Sequence, residues 1–158
     1  MGKFVQRRKS GYQQLRLREM SDLDRAASAV LAFNYSRRSS SSPATQGLIQ
    51  NDCVAVCLVD DEYWIASNSR RLEAEDIDEF AEFLGEDINC WIVINGDGKM
   101  HAEMQLLKEL IDAGIDTRGM SFGVSKPCCI LCARKLYEYG VSYTHYHGDS
   151  IVNWEKPD

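Results

Sequence analysis

The amino-acid sequence predicts an α/β fold in three layers, with a mixed sheet of about five strands between helices on both faces. Two observations lead to this prediction. Short runs rich in β-branched and aromatic residues alternate with amphipathic stretches of helical period. The first two runs, 53–59 and 62–68, are so close in sequence that they should form a hairpin, whereas helices separate the later ones. The sheet should therefore contain antiparallel and parallel pairs.

Length and charge indicate one domain with a basic start. The 158 residues fit a single domain, and the net charge is −6. Because residues 1–18 contribute six basic and no acidic side chains, the remainder stands at −12. We expect a flexible basic segment at 1–20 and one domain at 21–158. The basic segment could contact phosphate, but a solvated tail is the favoured interpretation. We expect no secretory signal after Met1 and no membrane span, since no apolar run approaches ~18 residues.

The first elements follow from capping residues and apolar spacing. Ser21 and Asp24 are capping candidates for a helix at 21–35, whose apolar residues form one stripe. The serine-rich segment 36–47 has the composition of a flexible loop. After the hairpin, apolar residues recur at helical spacing before a glycine, which predicts a short helix at 75–87.

The rest of the chain continues the alternation of strands and helices. Glycine-containing turns and changes of hydrophobic period separate the elements. In chain order we predict a strand at 88–95, a helix at 101–113, a strand at 120–125, a helix at 128–139, a strand at 141–147 and a short last strand at 151–154.

The six cysteines could indicate a disulfide framework if the chain were a short secreted one. Three of them, however, lie within five residues, at 128, 129 and 132, and the other three lie in apolar runs predicted as strands. Free cysteine in such runs behaves as a small hydrophobic residue. A reduced protein with a metal site therefore fits the pattern better than disulfides.

The stretch GDGKMHAEMQLLKEL, residues 96–110, places a histidine and a glutamate at the start of a predicted helix. His101 and Glu103 are two residues apart, a spacing that turns side chains about 200° apart on a regular helix. The pair can converge only if His101 lies at the frayed first turn. The NGDGK turn before it and the apolar period that begins at Met104 place it there.

A second predicted helix start supplies two thiols. In SKPCCILC, Cys129 and Cys132 lie three residues apart after Pro127, a residue favoured at helix starts. Two thiols at this spacing can share a metal ion, and a helix N-terminus favours their deprotonated form. With His101 they make three ligands, and zinc with three protein ligands keeps a fourth position for water, as in catalytic sites. Glu103 is then placed to move protons without binding the metal.

The order His-x-Glu, strand, Pro-Cys-Cys-x-x-Cys resembles that of the zinc-dependent cytidine deaminase-like superfamily. The resemblance covers most of residues 50–154 and implies the superfamily's α/β/α fold. It also implies that His101, Cys129 and Cys132 hold Zn²⁺ and that Glu103 is the acid and base. In that superfamily hydroxide attacks C4 of cytosine or C6 of adenine, with loss of ammonia.

Two departures from compact nucleoside deaminases bear on the subfamily. Pro127 is one residue further from the Cys-x-x-Cys pair than in the common motif, and 75–95 inserts a helix and a strand before the His-x-Glu helix. Both look more like the deaminase domains of bacterial polymorphic toxins and their relatives. That resemblance implies action on nucleic acid in the cytoplasm, delivery as the toxin domain of a larger secreted protein, and an immunity protein as partner.

The resemblance further implies residues that contact the substrate. In such proteins an asparagine ending the second strand of the hairpin often does so, and Asn68 stands at that place. His145 and His147 either line the substrate mouth or are solvated on a strand face. The predicted substrate contacts are Asn68, Ala102, Ser125, Lys126, Pro127 and His147.

Three functional interpretations stay open. The first is deamination of cytosine, before adenine, in nucleic acid, with a local basic groove. The second is a free nucleoside deaminase, which needs no groove and agrees with the acidic charge. The third is a silent zinc module that binds a partner protein; a structural site would want a fourth ligand, for which Cys128 is the nearby candidate. The groove would be built from Lys99, Lys126, Arg134, Lys135 and the basic N-terminal segment.

Overall fold

The computed structural model describes residues 21–37, 53–68, 90–92, 100–148 and 154–158. These residues form three helices and six strands. The helices are α1 (Asp22–Arg37), α2 (Ala102–Asp112) and α3 (Ile130–Glu138), and the strands are β1 (Val54–Val59), β2 (Glu62–Ser67), β3 (Cys90–Ile92), β4 (Gly123–Val124), β5 (Cys128–Cys129) and β6 (Tyr146–His147).

Four of the strands form a mixed sheet in the order β3, β2, β1, β4. β1 pairs antiparallel with β2 and with β4, whereas β3 runs parallel to β2. The turn of the β1–β2 hairpin lies at Asp60 and Asp61, which both have positive φ (50° and 66°). Two such residues give a hairpin turn the twist of its flanking strands. The predicted hairpin and the predicted mixed sheet are confirmed.

Helices cover both faces of this sheet, as the sequence predicts. Along β1 the side chains alternate: Val54 and Val56 pack in the cluster that includes α1, whereas Ala55 and Cys57 pack in the cluster that includes α2 and α3. The core is therefore divided into two apolar layers, one on each side of the sheet. The three-layer α/β/α arrangement is confirmed.

The N-terminus of α1 is fixed to the sheet by a buried carboxylate. Asp24 accepts a hydrogen bond from the Ser21 N–H at 3.0 Å, and Ser21 Oγ accepts one from the Asp24 N–H at 3.1 Å. The same carboxylate accepts from the Val124 N–H at 2.8 Å and from the Thr144 hydroxyl. β4 comes so close to α1 that a Cβ at Gly123 would lie 2.1 Å from the helix backbone. The cap predicted from the sequence thus also joins α1 to β4 and to the segment before β6.

A two-stranded parallel sheet of β5 and β6 changes two predicted boundaries. α3 begins at Ile130, two residues later than predicted, because the preceding residues are extended and pair with β6. The predicted strand at 141–147 is regular only in β6, apart from a parallel bridge between Ser121 and Ser142. Apolar period does not record these pairings, since they depend on which segments lie side by side in the fold.

Several predictions fall outside the described residues. These are the basic segment at 1–20, the helix at 75–87, both ends of the strand at 88–95, Lys99 of the predicted groove, and all but the last residue of the strand at 151–154. α1 continues for two residues into the predicted loop at 36–47, and the remainder of that loop also lies outside the described ranges. Of the helices in the described ranges, none is both long and apolar enough to cross a membrane.

We predict that the carboxylate of Asp24 contributes strongly to stability. Asp24→Ala should lower the free energy of unfolding by about 3 kcal/mol, because it leaves the buried N–H group of Val124 without an acceptor and also removes the acceptor of the Ser21 N–H group. Asp22→Ala is the matched control: its side chain is 98% exposed, and the change should stay within about 0.5 kcal/mol. Urea unfolding measures both, and equal small losses would contradict the anchoring role of Asp24.

Candidate metal centre

His101 lies at the N-terminus of α2, in the capping position. Its backbone is extended (φ −61°, ψ 151°), and its carbonyl oxygen accepts hydrogen bonds from the N–H groups of Met104 and Gln105, both at 2.9 Å. The imidazole does not cap the helix. This is the position at the first turn that the sequence predicts for His101.

The two cysteines lie at the N-terminus of α3. Cys129 occupies the capping position with an extended backbone (φ −70°, ψ 162°), and its Sγ accepts a hydrogen bond from the Cys132 N–H at 3.4 Å. The short parallel sheet fixes the approach to the helix, because Cys129 is paired with His147 and the Cys128 N–H donates to the His145 carbonyl at 3.0 Å. A helix cap and a strand pairing together determine where the two sulfur atoms lie.

Three potential ligand atoms converge between these helix starts. The His101 Nδ1 atom lies 3.6 Å from the Cys129 Sγ and 3.4 Å from the Cys132 Sγ, and all three atoms lie within 4.8 Å of one another. A tetrahedral zinc ion, with Zn–N of about 2.0 Å and Zn–S of about 2.3 Å, holds nitrogen and sulfur ligands about 3.5 Å apart. The residues therefore fit the metal, and His101, Cys129 and Cys132 could hold it with a fourth position left open.

The sulfur atoms of Cys129 and Cys132 share one proton, an arrangement that suits a cation site. The pKa of Cys129 is lowered to about 4, first because the Cys132 thiol donates a hydrogen bond to it and also because His101 does, while burial opposes this effect. The pKa of Cys132 is raised, first by the same bond to Cys129, which holds its proton, and then by burial. A cation between the donor atoms would replace the shared proton and favour two thiolates.

Glu103 is buried in the first turn of α2, close to the potential ligands. Burial is the strongest influence on its pKa and raises it, and the negative charge of Cys129 acts in the same direction. Its own backbone N–H, the charge of His101 and a hydrogen bond from the Cys128 thiol act against this rise. A raised pKa suits a carboxyl group to hold a proton as well as to release one.

Cys128 contacts Glu103 and does not belong to the group of three potential ligands. Its side chain is buried and shares a hydrogen bond with the Glu103 carboxyl group, and burial raises the pKa of its thiol. The potential ligand group that the described residues form consists of His101, Cys129 and Cys132. This agrees with the register in which the second and third cysteines of SKPCCILC, and not the first, face the histidine.

Two of the predicted substrate contacts bind the backbone around the start of β1. Asn68 Oδ1 accepts a hydrogen bond from the Cys53 N–H at 2.8 Å, and Ser125 Oγ accepts one from the Val54 N–H at 2.9 Å. A second bond joins the Ser125 N–H to the Val54 carbonyl at 2.9 Å. Both side chains therefore stabilise the open end of the hairpin by hydrogen bonds to its backbone. Ser125 also connects this end to the segment that leads into β5.

The other predicted contacts lie on the elements that carry the potential ligands. Lys126 and Pro127 are buried just before β5, and Ala102 is buried as the first residue of α2. His147 is half-buried in β6, paired with Cys129. Burial and the negative charge of Glu103 raise the pKa of the Cys53 thiol, and the positive charge of Lys126 acts against this rise. Contact of these residues with a substrate stays a prediction.

One side chain that touches the potential ligands was missed by the sequence reasoning. The Trp154 Nε1–H donates to the Cys132 Sγ at 3.3 Å. The sequence predicts a last strand that ends at Trp154, and the residue itself has no regular secondary structure. No spacing rule links positions 132 and 154, because the contact depends on the path of the chain beside α3.

Comparison with protein families gives one match. Residues 100–158, a little over a third of the chain, match a family model described as an OTT_1508-like deaminase (OTT_1508_deam). Comparisons with curated proteins and with solved structures found no match. The matched range contains Glu103 and all three potential ligands, and the match supports a place for the chain in a deaminase superfamily.

We predict that Cys129 is a zinc ligand and that its neighbour Cys128 is not. Cys129→Ser should weaken Zn²⁺ binding by at least about 100-fold, because it removes one of three donor atoms, whereas Cys128→Ser should retain one zinc per chain. Zinc content after dialysis, measured by elemental mass spectrometry, checks both variants. Retention by Cys129→Ser with loss by Cys128→Ser would overturn the ligand assignment.

Proposed function

We propose that this protein is a zinc-dependent hydrolytic deaminase of a nucleobase, and that its substrate is cytosine in nucleic acid. The observation that carries the proposal is the convergence of one imidazole nitrogen and two sulfurs, with a buried glutamate in the same first turn as the histidine. The match of residues 100–158 to a deaminase family supports the same reaction.

In the proposed reaction the residues divide into holding and proton-transfer roles. His101, Cys129 and Cys132 would hold Zn²⁺, which when bound lowers the pKa of water and so supplies a nucleophile near neutral pH. The Glu103 carboxylate takes a proton from the attacking water and passes it to the exocyclic amino group. The second proton of the water ends on the ring nitrogen beside the reacting carbon, the C–N bond breaks, ammonia leaves, and the carbon keeps the water oxygen as a carbonyl. Burial of Glu103 keeps its proton from exchanging freely with solvent.

Nucleic acid is proposed as substrate on the likeness of the motifs to those of the polymorphic toxin deaminases. An immunity protein that covers the site is the partner this likeness implies. A free nucleoside is a second candidate, which one observation favours. Lys135 is paired with Glu138 and Asp158, both at 3.1 Å, and Lys126 is buried, so neither offers an open positive charge to a backbone phosphate.

We predict that Glu103 is required for turnover and not for zinc binding. Glu103→Gln keeps the shape of the side chain but cannot carry the proton, so ammonia release should fall by about 100-fold or more while the zinc content is unchanged. Glu109→Gln is the matched control, because it makes the same change on an exposed face of α2 and should retain full activity. Equal activity of the two variants would contradict the role of Glu103.

A substrate panel separates the candidate functions. Single- and double-stranded DNA and RNA are sequenced after incubation with zinc-loaded protein, and ammonia release is measured with cytidine and adenosine. The proposal expects cytosine-to-uracil conversion in a polynucleotide that Glu103→Gln abolishes. Conversion of cytidine alone would favour the free nucleoside enzyme, and stoichiometric zinc without any deamination would favour a silent binding module.

A further inference from the structure

Residues 154–158, here called the 154–158 segment, run beside α3 and reach the candidate metal centre. The first side chain of the segment contacts the sulfur of Cys132, and the last contacts Lys135 and Tyr139. These three helix positions are spaced i, i+3 and i+7, so they lie on one stripe of α3. The segment therefore follows this stripe from the first turn of the helix to its C-terminal cap.

The lengths of the two elements agree with this parallel course. From residue 132 to residue 139 an α-helix rises about 10 Å, at ~1.5 Å per residue. Four steps of extended chain, from residue 154 to residue 158, span about 13 Å at ~3.3 Å per step. Pro157 is buried and Trp154 packs against the apolar cluster of α2 and α3. The segment is thus held at both ends and packed between them.

The anchor at the far end is a shared carboxylate. Asp158 accepts a hydrogen bond from the Tyr139 hydroxyl at 2.9 Å and forms an ion pair with Lys135 at 3.1 Å. Lys135 also pairs with Glu138 at 3.1 Å, and its side chain is only 15% exposed. The ion pair is thus more shielded from water than a fully exposed one.

The contact at the near end is directed at a potential ligand atom. The indole of Trp154 has one N–H donor and no acceptor, and that donor lies 3.3 Å from the Sγ of the fully buried Cys132. The Sγ of Cys129 accepts an N–H bond as well, from the backbone of Cys132 at 3.4 Å. Each of the two sulfurs that could bind metal is therefore supported by a nitrogen donor.

We propose that Trp154 is a positioning residue of the metal centre, which orients the Cys132 thiolate through its indole N–H while Asp158 holds the segment in place. An N–H bond disperses the negative charge of a buried thiolate and fixes the direction in which the sulfur offers its remaining lone pairs. Partners of this kind contribute about 10- to 100-fold to metal affinity in other proteins. The inference rests on the metal site of the proposed function and is independent of deamination.

The first test compares two tryptophan variants. Trp154→Phe keeps an aromatic ring in the core and removes the N–H, so the dissociation constant for Zn²⁺, measured by competition with a chromophoric chelator, should rise about 10-fold or more. Trp64→Phe is the matched control, since Trp64 packs against the same cluster and its buried Nε1 has no hydrogen-bond partner among the described residues. Its affinity should equal that of the wild-type protein.

A spectroscopic readout separates orientation of the sulfur from simple loss of stability. With Co²⁺ in place of Zn²⁺, the thiolate-to-metal charge-transfer band of Trp154→Phe should move to longer wavelength, because a sulfur without the N–H bond holds its electrons less tightly. Trp64→Phe should show the wild-type band. An unchanged band and an unchanged Zn²⁺ affinity in Trp154→Phe would overturn the inference.

The role of the anchor is tested by a double-mutant cycle. Asp158→Ala should weaken Zn²⁺ binding severalfold in the wild-type background and have no further effect in the Trp154→Phe background. An equal effect of Asp158→Ala in both backgrounds would show that the anchor does not act through Trp154. If the wild-type protein bound no zinc, both the proposed function and the role of Trp154 would be contradicted. If it bound zinc with an affinity that does not depend on Trp154, only the positioning role of Trp154 would be contradicted.

Discussion

The candidate metal centre requires the first turns of α2 and α3 to lie against each other, because His101 comes from one helix and both cysteines come from the other. The fully buried hairpin residues that face these helices are small, namely Ala55, Cys57 and Ala66, whereas those on the opposite face are Val54, Val56 and Ile65. Small side chains allow the two helices to pack close to the sheet and to each other. The geometry of the candidate centre thus depends on which residues of the hairpin face which layer.

The layer on the other side of the sheet also bears on this geometry. Asp24 binds the backbone of β4 and the hydroxyl of Thr144, two residues before β6. β6 in turn pairs with β5, which carries Cys129 to the start of α3. A buried carboxylate in α1 is therefore linked to the potential ligands through its bond to Thr144 and the pairing of β6 with β5. Buried polar groups of this kind are costly unless every donor and acceptor is matched, and their matching specifies one arrangement of the segments.

Much of this arrangement can be predicted from local patterns. Period-2 and period-3.6 spacing locate the hairpin and the three described helices, and the cap at Ser21 and the NGDGK turn before His101 locate two helix starts. Helix geometry restricts His101 and Glu103 to a first turn. Pairing over distance has no such local pattern, so the parallel β5–β6 sheet and the later start of α3 were not foreseen.

The same reason explains the site residues that the sequence did not reveal. Trp154 lies twenty-two positions after Cys132 and touches it only because the 154–158 segment follows one stripe of α3. Asn68 and Ser125 could be placed near the site by resemblance, but their oxygens bind the backbone of Cys53 and Val54. Residue type and motif position predict the location of a side chain better than they predict its hydrogen-bond partner.

A catalytic centre of the proposed kind needs two sulfurs, one nitrogen and an open fourth position, whereas a structural centre fills that position with another protein ligand. X-ray absorption at the zinc edge of the zinc-loaded protein distinguishes the two directly. We predict a shell of two sulfur atoms at about 2.3 Å and two nitrogen or oxygen atoms at about 2.0 Å, one of them from water. A shell of three or four sulfurs, or one with no sulfur at all, would contradict it.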